Sequence, residues 1–146
     1  MPLIFRSMLR DGEGPRVGGD NNMLGVRVHP HPRPDVTVNP DGTVSPATGK
    51  GMSVAPSLEA LAKKPFLVSR RLRHRFPAAR GVDDLVTWKM GEGAFEAGAI
   101  TLGLTLCPDG RPAPEHGVIA PDRQMPVEHY QQALAATRET WQNGEA

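Results

Sequence analysis

A small-residue segment, Thr48–Val54, carries the residue types that most clearly indicate chemistry in this sequence. Glycine has no Cβ and tolerates a positive φ, so a ligand can approach the backbone of such a segment closely. The segment differs from a Walker loop, which ends in Gly-Lys-Ser/Thr, because Gly51 follows Lys50 here. Two interpretations remain open: a binding loop for a phosphate or an adenylate, and a flexible loop without a ligand.

The residues before this segment predict a strand, a turn and a second strand. Val36–Val38 and Thr43–Val44 are rich in β-branched residues and flank Asn39–Gly42, which reads Asn-Pro-Asp-Gly. β-Branched residues favour strands, and Pro-Asp-Gly favours a turn. The predicted second strand leads directly into Thr48–Val54.

Arg6 is a second candidate because it interrupts Leu3–Leu9, an apolar segment that predicts a first strand. An unpaired guanidinium is costly to bury, so Arg6 must find a partner. A carboxylate or a bound phosphate would serve, since the planar guanidinium matches the geometry of both.

One dense basic cluster lies in the segment Ser69–Arg75. It could bind the phosphates of a nucleotide or of nucleic acid. No aromatic residue alternates with the arginines, so the cluster lacks a platform on which single-stranded bases could stack. A solvated basic face or a docking site for an acidic partner is an equal alternative. The arginines of the cluster are Arg70, Arg71, Arg73 and Arg75.

The histidines give weaker signals. His29 and His31 share one side of an extended Pro-rich segment and could chelate a metal, but no third ligand is near, which favours a solvated linker. His116 and His129 are candidates for acid–base chemistry. A surface role is the default for His129, which lies on the polar side of a predicted helix.

Length and composition indicate one domain over residues 1–146. The net charge of +1 provides no global field that would attract nucleic acid. The single cysteine, Cys107, excludes an internal disulfide and a Cys-based zinc site. With neither a signal peptide nor an apolar stretch of membrane-spanning length, we expect a cytoplasmic protein.

Hydrophobic periodicity predicts the remaining elements, which are mostly strands with two helices. Strands and helices do not alternate regularly, and this favours an α+β fold over a doubly wound sheet. The C-terminal helix would carry an apolar stripe that packs on the sheet, formed by Val127, Tyr130, Leu134 and Trp141. Strands are predicted at Leu24–Val28, Leu85–Met90, Ile100–Leu106 and His116–Pro121, and helices at Pro56–Lys64 and Pro126–Trp141.

Three of these features, in this order along the chain, resemble one family. They are the apolar strand with Arg6, the segment Asp35–Val54, and the pattern His-x-x-Ile-x-Pro at His116–Pro121 followed by Met125. The chain is similar to the type VI secretion effector toxins with an ADP-ribosyltransferase-like fold and to their bacterial and fungal relatives. The similarity covers most of the chain and is most specific at residues 35–54 and 116–134. It implies a compact split β-sheet core with few helices and a cleft for NAD, the substrate.

The resemblance also implies roles for individual residues. In such folds a first-strand arginine contacts the phosphates or ribose of NAD, and a Ser or Thr after a Gly-rich run supports the cleft. These positions correspond to Arg6 and Ser53. The implied NAD-binding residues are Arg6, Thr48, Gly49, Gly51, Ser53 and His116.

The family also carries a glutamate, usually in a Gln/Glu-x-Glu turn, that polarises the ribose 2′-hydroxyl as the oxocarbenium forms. This sequence has no such pair, and Gln124 and Glu128 are the candidates for that position. The implied activity is transfer of ADP-ribose from NAD to an intracellular macromolecule. The implied biology is antibacterial delivery into a target cell without a signal peptide, with an immunity or antitoxin protein as a partner.

Two other functions remain open from the sequence. A non-enzymatic toxin on the same fold could dock through the arginine cluster, and the missing glutamate pair favours this alternative. An RNA-phosphate-processing enzyme could use Arg6 together with the same cluster.

Overall fold

The computed structural model describes residues 1–63, 67–77, 79–82, 84–109 and 116–145. Within these residues the protein is α+β, with mostly antiparallel strands and two short α-helices, which confirms the predicted class. None of the described helices is long and apolar enough to cross a membrane. The strands are β1 Ile4–Asp11, β2 Gly14–Pro15, β3 Thr43–Val44, β4 Met52–Val54, β5 Leu67–Ser69, β6 Arg80–Val82, β7 Leu85–Met90, β8 Gly98–Thr101, β9 Leu104–Pro108, β10 Gly117–Pro121, β11 Met125–Pro126 and β12 Gln142–Asn143, and the helices are α1 Leu58–Ala62 and α2 Val127–Ala135.

Two four-stranded antiparallel sheets form the main part of the described fold. The first sheet has the order β12-β7-β1-β2, and the second has the order β4-β10-β9-β8. The amide and carbonyl of Phe5 in β1 exchange hydrogen bonds of 2.8 and 2.9 Å with Ala55, which directly follows β4. This bridge brings the two sheets together. Two smaller pairs, β11 with β3 and β5 with β6, flank them.

Apolar side chains from both sheets and from α2 meet in one core. Ile4 and Met8 from β1, Leu106 from β9, and Tyr130 and Leu134 from α2 are fully buried within it. The side chains of a strand alternate between its faces, so the opposite face of β1 contributes to a second, smaller cluster around α1. The expected packing of the C-terminal helix against the sheets is confirmed.

Several predicted elements are confirmed close to their expected bounds. Strand β7 has the predicted bounds, β1 ends two residues later than expected, and β10 begins one residue later. Helix α1 begins after Ser57, whose hydroxyl accepts a hydrogen bond of 3.1 Å from the Ala60 amide as an N-cap. The predicted end of that helix at Lys64 lies outside the described residues.

The predicted strand Leu24–Val28 is wrong, since this segment forms only an isolated bridge at Leu24. Its backbone forms hydrogen bonds with a side chain instead of with a neighbouring strand. The Gln131 amide accepts from the Val26 N–H at 3.0 Å and donates to the Val26 carbonyl at 2.7 Å. Gly25 has a φ of +152°, outside the range of regular strands.

Two further predictions are corrected. Val36–Val38 is not a strand, and Thr43–Val44 pairs with Met125–Pro126 instead. The alternating segment Ile100–Leu106 contains the turn of a hairpin, formed by β8 and β9. Gly103 adopts a φ of +88° at this turn, which only glycine tolerates readily.

The C-terminal helix ends at Ala135 rather than at Trp141. The Thr137 hydroxyl donates to the Leu134 carbonyl at 2.7 Å and accepts from the Trp141 indole at 3.0 Å. These bonds satisfy a carbonyl of the last helical turn, and Trp141 is buried after a short 3₁₀ turn rather than on the helix.

We expect Leu134→Ala to lower the free energy of unfolding by about 2–5 kcal/mol, because it leaves a cavity between α2 and both sheets. Urea denaturation followed by circular dichroism measures this change. Gln132→Ala, at an exposed position on the same helix, is the control and should change stability by less than about 0.5 kcal/mol. Equal stability of the two variants would contradict this packing of α2.

Candidate functional site

Arg6 lies on the face of β1 that also carries Ile4 and Met8, and its guanidinium connects β1 with two other segments. Nη1 donates to the Ser53 carbonyl in β4 at 2.8 Å, and Nη2 donates to the Met23 carbonyl at 2.9 Å. The expected direct partner, a carboxylate or a phosphate, is therefore replaced by two neutral carbonyl oxygens. The Nε–H is buried and finds no acceptor among the described residues.

A carboxylate does lie nearby, but it binds a second arginine. Asp35 accepts hydrogen bonds from Arg27 Nη2 at 2.6 Å, from Arg27 Nε at 3.0 Å and from the Arg27 amide at 2.8 Å. Arg27 also donates to the Asn21 side chain at 2.8 Å. Arg6 and Arg27 thus both interact with the charge of Asp35, and Asp20 provides a second negative charge near Arg27.

The electrostatics of the cluster follow from this sharing. The pKa of Arg6 is lowered to about 10, chiefly by burial; the charge of Asp35 opposes this shift, and the charge of Arg27 adds to it. The hydrogen bonds that Arg27 donates to Asp35 raise the pKa of Arg27, although its partial burial acts in the opposite direction. At neutral pH both guanidinium groups carry a positive charge.

Gly51 is positioned by packing against Tyr130. The Tyr130 hydroxyl is buried and donates to the Ile119 carbonyl at 2.6 Å, and burial raises the pKa of this tyrosine. A Cβ on Gly51 would lie 2.4 Å from the Ile119 oxygen and 3.1 Å from the Tyr130 oxygen. The absence of a side chain at Gly51 therefore allows β4 and β10 to approach α2.

The preceding loop is open to solvent. Thr48, Gly49 and Lys50 are exposed, and a Cβ on Gly49 would meet no atom within 4 Å. Lys50 Nζ donates to the Thr37 hydroxyl at 2.8 Å, which holds the loop beside the segment that follows Asp35. Lys50 is therefore tied to the segment that carries Asp35, the carboxylate partner of Arg27.

Ser53 pairs with Val118 of β10, and its side chain is half-buried. Its carbonyl contacts Arg6, whereas its hydroxyl forms no hydrogen bond with the described residues. The structure thus brings Arg6 and Ser53 together through the main chain and leaves the Ser53 hydroxyl available.

The remaining predicted site residues lie elsewhere in the structure. Gln124 is exposed and donates to the Thr43 hydroxyl at 2.9 Å, and Glu128 is exposed in the first turn of α2. His116 is buried, and its Nδ1 lies 2.6 Å from an Asp109 carboxylate oxygen. Within the described residues, no hydrogen bond joins Gln124 or Glu128 to Arg6.

The arginine cluster forms a 3₁₀ turn at Arg70–His74. Arg71 donates to both carboxylate oxygens of Glu145, at 2.7 and 3.2 Å, and to the Leu85 carbonyl at 3.1 Å. Burial raises the pKa of Glu145, but hydrogen bonds from Arg71 and a backbone amide hold it below its usual value. Arg71 is therefore fixed in position, while Arg73 is exposed on the same turn.

Three cavities of about 390, 350 and 510 Å³ lie on the described surface, and none of the three is lined by the predicted NAD-binding residues. In the described ranges, no group of three or more His, Cys, Asp or Glu residues is placed to hold a metal ion. His31, which the sequence offered as a chelator, lies 3.3 Å from an Asp20 oxygen and accepts from the Arg33 amide.

No family model, curated protein or solved structure matches this chain. The sequence reasoning missed the pairing of Arg27 with Asp35, although both residues lie in segments that it singled out. Arg27 stands in an alternating pattern that suggested a strand, and this pattern gave no reason to pair it with a carboxylate eight positions later.

We expect Asp35→Asn to lower the free energy of unfolding by about 1–3 kcal/mol, because two guanidinium groups would lose their shared carboxylate. Thermal and urea denaturation measure the change. The control is Glu96→Gln, an equal change of charge at an exposed position, which should be close to neutral. Unchanged stability of Asp35→Asn would show that the carboxylate does not compensate the buried charge.

Proposed function

We propose that the protein is a cytotoxic effector of the ADP-ribosyltransferase class, with the split β-sheet core of that fold type and with NAD as its substrate. The sequence resemblance supports this proposal. The structural observation that carries it is the contact of Arg6 with the Ser53 main chain, which places the two residues that the resemblance implies side by side.

The charge around this contact suits a dinucleotide. Arg6 and Arg27 share Asp35, and Lys50 is held nearby through Thr37. The diphosphate of NAD is anionic, so a site with more cations than carboxylates attracts it. In this arrangement Arg27 and Lys50 would approach the phosphates from the solvent side, while Arg6 positions β4 and contributes its charge from the interior.

The proposed reaction breaks the bond between nicotinamide and ribose. The bonding electron pair leaves with nicotinamide, positive charge develops on the ribose, and a nucleophile of the target macromolecule forms the new bond to the anomeric carbon. Fixed dipoles and charges stabilise this cation. The Ser53 hydroxyl would orient the ribose next to nicotinamide. Gln124 or Glu128 would support the cation, and Glu128 alone of these two offers a full negative charge.

The biological setting is part of the same proposal. The protein would act in the cytoplasm of a target cell after delivery, and an immunity protein would bind it in the producing cell. An exposed site is compatible with such a partner, since Glu128 and the loop Thr48–Lys50 lie at the surface.

We expect the purified protein to release nicotinamide from NAD, and Ser53→Ala to slow this release on the order of a hundredfold, about 2.7 kcal/mol of transition-state stabilisation. Chromatographic quantification of nicotinamide measures the rate. Thr105→Val is the matched control because it removes a hydroxyl from β9 of the same sheet. Equal rates for the two variants would exclude Ser53 from the reaction, and no nicotinamide release from the wild type would contradict the proposed class.

Glu128→Gln distinguishes the two candidates for the third position. Loss of its charge should slow nicotinamide release by a similar factor, whereas Glu96→Gln should have no effect. Expression in a bacterial cytoplasm should arrest growth, and the slow variants should relieve the arrest at equal soluble expression. Unimpaired release by Glu128→Gln would assign the role to Gln124 or to another group.

A further inference from the structure

A cavity of about 350 Å³ lies at one end of the first sheet, remote along β1 from the Arg6 position. Leu9 and Arg10 at the end of β1, and Val86 of β7, contribute to its wall, and Asp84 precedes β7. Arg16, just beyond β2, and Arg71 from the 3₁₀ turn complete the lining. Three arginines from three separate segments thus converge on one concave surface.

Two of these three arginines keep an unbalanced charge in the described structure. Arg10 and Arg16 are exposed and donate only to neutral carbonyls, Arg10 to Gly12 at 3.0 Å and Arg16 to Arg10 at 3.4 Å. Neither forms an ion pair with a described residue. Arg71 is paired with Glu145, and Asp84 is the one carboxylate among the lining residues. The cavity therefore keeps a positive excess.

The segment that carries Arg10 and Arg16 is held in place. The Arg16 amide donates to the Leu9 carbonyl at 2.9 Å. Arg138 donates from Nε to the Pro15 carbonyl at 3.0 Å and from Nη2 to the Asp11 carbonyl. A ligand that binds these arginines therefore does not need to order the backbone between them, which reduces the entropic cost of binding.

We propose that this cavity binds the phosphodiester backbone of a nucleic acid. Guanidinium groups match phosphate oxygens in geometry and charge. The exposed Arg73 lies on the same 3₁₀ turn as Arg71, so the positive surface continues beyond the cavity and can contact a neighbouring phosphate. A single small anion would not use this extension. The site does not depend on NAD or on Arg6.

The composition of the cavity also determines which part of a nucleic acid it recognises. Its lining contains no aromatic side chain, so no base-stacking platform contributes, and recognition rests on the backbone phosphates. RNA and single-stranded DNA of the same sequence should therefore both bind. Asp84 repels phosphate, and its removal should tighten binding.

Fluorescence anisotropy with labelled RNA and DNA of about 16 nucleotides tests the proposal across about 50–200 mM salt. Each phosphate contact on a single strand contributes about −0.7 to the slope of log K against log salt. Arg10→Ala/Arg16→Ala should therefore make the slope less steep by about 1.4 and weaken binding at low salt. Asp84→Asn should tighten binding, whereas Glu96→Gln should not.

The matched control is Arg33→Ala/Arg123→Ala, which removes the same charge from exposed positions outside the cavity lining. This double variant should keep the wild-type slope, and circular dichroism should show that both double variants are folded. Equal losses of affinity in the two double variants would show that the effect follows from net charge alone, and this would overturn the proposal. Competition by polyglutamate as strong as by RNA would also overturn it, because the surface would then suit an acidic polypeptide.

Nicotinamide release without added macromolecule should be unchanged in Arg10→Ala/Arg16→Ala. The outcome of the nucleic-acid binding test is therefore independent of the outcome of the test for NAD-dependent activity.

Discussion

Burial of the Arg6 guanidinium constrains how the two sheets pack together. The group stands among fully buried apolar side chains of β1, where an uncompensated charge would be very costly. The carbonyls of Ser53 and Met23 and the nearby charge of Asp35 compensate it. Because these two acceptors and this charge come from three different segments, each of those segments must reach the Arg6 side of β1 for the fold to form.

The same requirement explains how a long irregular stretch can be part of the fold. Residues between β2 and β3 contribute buried side chains to the core but no strand of their own. Their backbone is held by side chains: Gln131 binds both polar groups of Val26, and Asp35 binds the Arg27 amide as well as its guanidinium. Hydrogen bonds from side chains thus replace the backbone hydrogen bonds of a sheet here. Because this stretch needs no regular strand, glycine and proline are tolerated along it.

The sequence predicted those elements whose pattern is local. Strand β7 is a short segment of mostly apolar residues, and the spacing of Tyr130 and Leu134 identified the face of α2 that is buried. Prediction failed where a distant residue decides the outcome. The alternation at Leu24–Val28 favoured a strand, but its backbone partner is Gln131, 105 positions away from Val26. No local pattern carries that information.

The candidate site shows the same limit. The need of Arg6 for a partner follows from its apolar surroundings in the sequence, but the identity of the partner does not. Its acceptors are main-chain carbonyls 17 and 47 positions away, and any residue type supplies a carbonyl. The pairing of Arg27 with Asp35 is closer in sequence, yet it depends on a turn that lies in the irregular stretch.

Two arginines in different parts of the fold, Arg6 and Arg71, are held by a common arrangement of acceptors. Each donates to at least one backbone carbonyl and interacts with one carboxylate, Asp35 for Arg6 and Glu145 for Arg71. Fixing a long side chain in this way removes its rotamer freedom during folding rather than at binding. The difference between the sites is exposure: Arg6 acts from inside the core and sets the position of β4, whereas Arg71 reaches a surface cavity. The first can therefore organise a site without contacting a ligand, whereas the second fixes part of the wall of a surface cavity.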